Sequence, residues 1–125
     1  MGTIVYGSGT RRIAMDDRVL AHVKSVIITK LRRNESFTVS WSRAEDEGGG
    51  RTAIWVHPSI GLQFEFDEAE RPELNRDWLE RLMREANLSG DLRIVPEIEH
   101  HDHADGPLGS EPAHGVRVRE DTSGR

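Results

Sequence analysis

The sequence predicts an α+β domain of two layers, a mainly antiparallel sheet with two helices in the order β-β-α-β-β-β-α-β. Three observations carry this expectation. Apolar residues recur at spacings of three and four in two stretches, they alternate with polar residues in several others, and the two kinds of stretch are segregated, which argues against a parallel α/β sheet.

Each element has its own signal. Residues 3–6 (Thr-Ile-Val-Tyr) are rich in β-formers, Gly7-Ser8-Gly9 reads as a turn, and residues 11–15 read as the returning strand of a hairpin. Asp16 and Asp17 stand where an N-cap acceptor and first-turn anions belong. A helix is expected from there to about Arg33, with Val19, Leu20, Val23, Val26, Ile27 and Leu31 as its apolar stripe. Arg18, His22, Ser25, Thr29, Arg32 and Arg33 are assigned to its opposite, polar face. Phe37, Val39 and Trp41 alternate with Thr38, Ser40 and Ser42, the period of a strand with one buried face. Runs at 52–57 and 62–66 complete an expected antiparallel meander. Asn75 is positioned to cap a second helix with Trp78, Leu79, Leu82, Met83 and Ala86 as its stripe, Gly90 to end it, and residues 92–95 to form a last strand.

A chain of 125 residues accommodates one such domain. Its boundary is expected at residue 96, because 97–125 hold four of the six histidines, Pro107, Pro112 and few large apolar residues. That stretch reads as a disordered acidic tail, with the alternation at 116–119 too short to count as a strand. The absence of cysteine excludes disulfides, thiolate metal sites and cysteine nucleophiles. No apolar run approaches the ~18–20 residues of a membrane span, and the first residues lack the marks of a secretory signal, so a cytoplasmic location is expected.

No residues are nominated for catalysis: there is no G-x-S-x-G elbow, no Ser-x-x-Lys dyad and no G-x-x-x-x-G-K-[ST] loop, and no cofactor is implied. His100, His101, Asp102 and His103, with His114 downstream, would bind metal ions only opportunistically, since a flexible tail supplies no fixed geometry. Charge is more informative. Residues 1–44 carry eight Lys/Arg against three carboxylates, whereas residues 45–125 carry nine against nineteen, so the formal net charge of -5 hides a basic N-terminal third. Arg11, Arg12, Arg18, His22, Arg32 and Arg33 are the candidate nucleic-acid-binding residues, by phosphate contact from the first helix and the hairpin. An acidic protein surface would suit the same patch. Phe37, Trp41, Trp55, Phe64 and Phe66 are assigned to the core rather than to base stacking. An enzymatic alternative would build a pocket from Trp41, Trp55, His57 and Arg32, and self-association through a sheet face or edge strand is a further expectation.

Several blocks together carry a resemblance: residues 1–7, 17–22, 30–37, Ser40-Trp41, 54–60 (Ile-Trp-Val-His-Pro-Ser-Ile), 74–79 (Leu-Asn-Arg-Asp-Trp-Leu) and 92–97. In these the chain resembles a family of short actinobacterial proteins, a domain of unknown function whose members are often labelled ATP-dependent DNA ligase. The resemblance spans residues 1–97. Ligase chemistry would need a nucleophilic lysine in a K-x-D-G motif, and neither lysine, Lys24 or Lys30, lies in one. The expected role is therefore a small non-catalytic interaction or accessory domain, with a ligase-related subunit as the alternative.

Overall fold

Paired strands and two amphipathic helices frame the computed structural model, which describes residues 1–9, 11–97, 116 and 118–122. The order is β1 (Gly2–Tyr6), β2 (Arg11–Met15), α1 (Asp17–Arg32), β3 (Phe37–Ser42), β4 (Arg51–Val56), β5 (Leu62–Glu65), α2 (Arg76–Ser89), β6 (Asp91–Arg93) and β7 (Val118–Thr122), with a short 3-10 turn at Glu45–Glu47. The class is α+β, and the first eight elements follow the expected order.

The strands divide into two sheets. One has the order β5-β1-β2-β7 and the other β4-β3-β6. The expected meander breaks after its second strand: β4 lies antiparallel to β3, but β5 crosses to β1, and β6 takes the other side of β3 in parallel. The turn chemistry after His57 reverses the chain without specifying which strand it rejoins. β7 is the second correction. Val118 is buried opposite Met15, so residues 118–122 form a paired strand within the stretch expected as a tail. Four residues alternating in a polar stretch offered too little apolar surface to read as a strand, but the buried edge of β2 supplies the missing partner. Residues 98–115 and 123–125 lie outside the described residues.

Helix ends follow their local chemistry. Asn75 caps α2, its side chain accepting from the Trp78 N–H, and Gly90 ends it in the left-handed region at φ 78°. Asn34, at φ 63°, turns the chain from α1 into β3. Asp16 occupies the N-cap position of α1 without capping it through its side chain. Asp17 instead turns its carboxylate outward to accept from the Asp67 and Glu68 N–H groups at 3.3 and 3.0 Å, fastening the segment after β5 to the start of α1. Partial burial would raise the Asp17 pKa, but these bonds and the nearby N-terminal ammonium outweigh it and hold the group below its ordinary value.

Gly2 sits where α1 packs closely on the first sheet. A β-carbon there would sit 2.6 Å from Leu20 Cδ2 and 2.9 Å from both Asp17 Oδ1 and the Glu65 carbonyl oxygen. Because one of these neighbours is backbone, Gly2→Ala is expected to cost about 1–3 kcal/mol through overpacking, read as a lowered melting temperature.

Candidate functional site

The six residues expected to bind nucleic acid do not form one patch. Arg11 and Arg12 are successive strand residues and therefore face opposite sides of the first sheet. Arg11 shares the inner side with Ile13 and reaches Glu120 at 2.9 Å, while Arg12 reaches Glu65 at 2.9 Å. Arg18 grips Glu97 through two bonds of 2.8 and 2.7 Å and donates a third to the Glu73 carbonyl. These three guanidinium groups are thus partnered by carboxylates within the chain. Arg32 and Arg33 are exposed and make no ion pair among the described residues.

His22 is a plain correction: it is wholly buried, not on a polar face. It lies three residues after Val19 and four before Val26, close enough to the apolar stripe for neighbouring elements to cover it. Its Nδ1 lies 2.8 Å from the Arg18 carbonyl, and its Nε2 accepts from the Asn75 N–H at 2.7 Å. A carbonyl can only accept and an N–H can only donate, so the ring is the neutral Nδ1–H tautomer. Burial is the main cause that pushes its pKa below the usual histidine value. Glu97 completes the network by accepting from Asn75 Nδ2 at 2.8 Å, and the Arg18 guanidinium holds its pKa at about 2. The cluster joins α1, the start of α2 and the segment after β6. Lys30 is likewise buried in the stripe, donating to Glu35 and Asn87 at 2.9 Å each.

The four residues of the enzymatic pocket are not brought together either. Trp41 is buried, Trp55 is 51% exposed, and they point to opposite sides of the second sheet. His57 lies in an exposed turn, bonded to Ser59. Among the described residues no group of His, Asp and Glu has a metal-binding arrangement, and His100, His101, Asp102, His103 and His114 lie outside them.

Two other surfaces emerge. The first is the outer face of the β4-β3-β6 sheet. Registered partners place Trp55, Thr38 and Asp91 in one row, Ala53, Ser40 and Arg93 in the next, and Arg51 beside Ser42 in the third. Thr38 and Ser40 donate to the two Asp91 oxygens at 2.7 and 2.8 Å, which satisfies the single carboxylate of the face. Trp55 departs from the core position that alternation with polar residues, and the need of two amphipathic helices for a surface to cover, led us to expect of the aromatic strand residues. Parity is the signal that would have placed it, since Ile54 and Val56 on either side are buried. Phe37 and Trp41 are core as expected, and Phe64 and Phe66 are half-buried against it.

The second surface is a groove of about 650 Å³ between the outer side of α1, the aromatic residues Phe64 and Phe66, and the segment from Glu68 to Leu74. Ile28 and Leu74, 37% and 48% exposed, are apolar walls, and the Lys24 ammonium lies 5.8 Å above the Phe66 ring. Among the described residues no helix is long and apolar enough to cross a membrane.

Comparison with known proteins yields no match among curated proteins and none among solved structures. A family model does match residues 1–97, ending at the glutamate that closes the buried network. The chain belongs to that family, described as a domain of unknown function (DUF7882).

Proposed function

We propose that this domain is a non-catalytic binding module that holds single-stranded nucleic acid on the outer face of its β4-β3-β6 sheet. The observation that carries the reading is Trp55, a half-exposed indole near the end of β4 on a face otherwise made of hydroxyls, Ala53, Arg51, Arg93 and Asp91, whose carboxylate is taken up by Thr38 and Ser40. An exposed aromatic gives an unpaired base a stacking surface, and flanking arginines attract its phosphates. A duplex hides its bases and would gain little from Trp55. Arg32 and Arg33 add charge at the end of the same sheet, since the chain passes from them through Asn34 into β3, whose Thr38 is the registered partner of Trp55. This moves the nucleic-acid reading from the first helix and hairpin to the second sheet. It agrees with the ligase label of similar actinobacterial proteins only in the class of partner, as an accessory domain beside an enzyme would.

The test is titration with an oligo-dT strand at low salt, following tryptophan emission. Trp41 and Trp78 are buried, so quenching reports Trp55. Saturable quenching that weakens steeply with salt is expected. Trp55→Ala removes that reporter, so its affinity is read from the anisotropy of an end-labelled oligo-dT strand and should be about 10- to 100-fold lower, the equivalent of ~1–3 kcal/mol of stacking. Absence of binding at low salt, or unchanged affinity in Trp55→Ala, would overturn the reading.

A further inference from the structure

We propose that the outer face of the β4-β3-β6 sheet selects guanine, the Asp91 carboxylate accepting from N1–H and N2–H of a base stacked on Trp55. This rests on the reading of that face as a single-strand site and deepens it. Trp55 is the registered partner of Thr38, and Thr38 of Asp91, so the three share one row across the strands. The Asp91 oxygens lie 2.7 Å from Thr38 Oγ1 and 2.8 Å from Ser40 Oγ. Both hydroxyls belong to β3, the strand between β6 and β4, so the carboxylate is drawn toward the indole. Neighbouring strands are about 4.8 Å apart, and a purine lying on Trp55 spans that gap with its Watson–Crick edge.

Hydrogen-bond chemistry indicates which base. Each hydroxyl takes one acceptor site of one Asp91 oxygen, and a carboxylate oxygen has two, so the group is held in place with an acceptor left on each oxygen. Ser40, only 4% exposed, makes the holding side rigid. Two acceptors side by side match two donors side by side. Guanine presents such a pair on its Watson–Crick edge. In adenine and cytosine the amino group is flanked by a ring nitrogen that only accepts, and in thymine or uracil a single N–H lies between two carbonyls. Those edges would set acceptor against acceptor. Charge orients the strand in the same sense. Arg93 and Arg51 stand one and two rows from Asp91, exposed and without an ion pair among the described residues. Phosphates over the arginine rows leave the base turned toward Asp91, whereas the reverse orientation would place phosphate beside carboxylate.

The experiment uses the full chain and end-labelled strands of five nucleotides, short enough to leave few alternative registers, with anisotropy at low salt as the readout. The strand with a central guanine, dT-dT-dG-dT-dT, should bind about 5- to 20-fold more tightly than the all-thymine strand, as a bidentate pair on an exposed face provides. Hypoxanthine in place of guanine lacks the N2 amino group, and that strand should bind at least about threefold more weakly than the guanine strand. Asp91→Asn keeps the shape of the side chain and a partner for both hydroxyls but replaces one acceptor with donors. It should bring the guanine and thymine strands to within about twofold of each other without weakening the thymine strand. The hypoxanthine comparison leaves the protein untouched, so it decides the matter even if Asp91→Asn unfolds. Equal affinity for the guanine and thymine strands, equal affinity for guanine and hypoxanthine, or a guanine preference that persists in Asp91→Asn would each overturn the proposal while leaving the Trp55 reading intact. If no strand binds at low salt, both fall.

Discussion

Replacing His22 with alanine is expected to lower stability by about 2–4 kcal/mol, the combined effect of a cavity and lost buried hydrogen bonds. The ring is fully buried, its centroid is 4.4 Å from that of Trp78, and it alone bridges the Arg18 carbonyl to the Asn75 N–H. Alanine removes the contact with Trp78 and takes from the Asn75 N–H its acceptor at the start of α2. His22→Phe restores most of the volume without the hydrogen bonds, so the difference between the two variants separates packing from polar satisfaction. Urea titrations at pH 7.5 would measure both. Equal stability of wild type and His22→Phe would show that the bridge contributes nothing.

The same residue gives the domain a pH dependence of definite sign. Because burial lowers the folded pKa of His22 below its ordinary value near 6.5, the unfolded chain takes up the proton first as pH falls. Stability is therefore full above pH 6.5 and declines as pH drops from there toward the folded value. Protonated Nε2 would face the Asn75 N–H, donor against donor. Glu97 acts in the same direction lower on the scale, since its folded pKa of about 2 against an ordinary 4.5 gives stability that is lost as pH falls from about 4.5 toward 2. Wild type should weaken in two stages, and His22→Phe should lack the first.

Sequence patterning made the helices legible because a stripe of Val, Leu and Ile at three and four spacing has few other solutions. The caps at Asn75 and Gly90 were legible for the same reason, since their chemistry is local. What failed was long-range pairing and anything decided by a neighbour across the fold. His22 has polar chemistry, and only the arrival of α2 turns it into a buried bridge. Arg11, Arg12 and Arg18 are cations in the sequence, yet each meets a carboxylate from a distant segment: Glu120, Glu65 and Glu97. Charge counted along a chain cannot see that neutralisation. Trp55 differs, because its exposure followed from the parity of Ile54 and Val56 and was open to a stricter reading.

The largest effect of removing chain is expected at the C-terminal strand. A protein ending at Glu97 loses β7, and with it the cover over Met15 and Ile13, both wholly buried, and the carboxylate that meets Arg11. Burying a side chain such as Val118 contributes ~1.5–3 kcal/mol, and ordering each residue of the strand opposes it by ~1–2 kcal/mol. Covering the two β2 side chains as well as Val118 tips the balance, so truncation should cost on the order of 2–4 kcal/mol and lower the melting temperature by roughly 10–20 °C. The uncovered β2 edge should also promote association, visible by light scattering. Ending the chain one residue earlier, at Pro96, removes Glu97 from Arg18 and Asn75 and should destabilise further. It should also abolish that part of the acid response between pH 4.5 and 2 that Glu97 supplies, which the chain ending at Glu97 retains. If both truncated chains melt within about 2 °C of the full chain, β7 and the Arg18–Glu97 grip are surface contacts of the small worth usual for exposed pairs, and the fold is complete at residue 96.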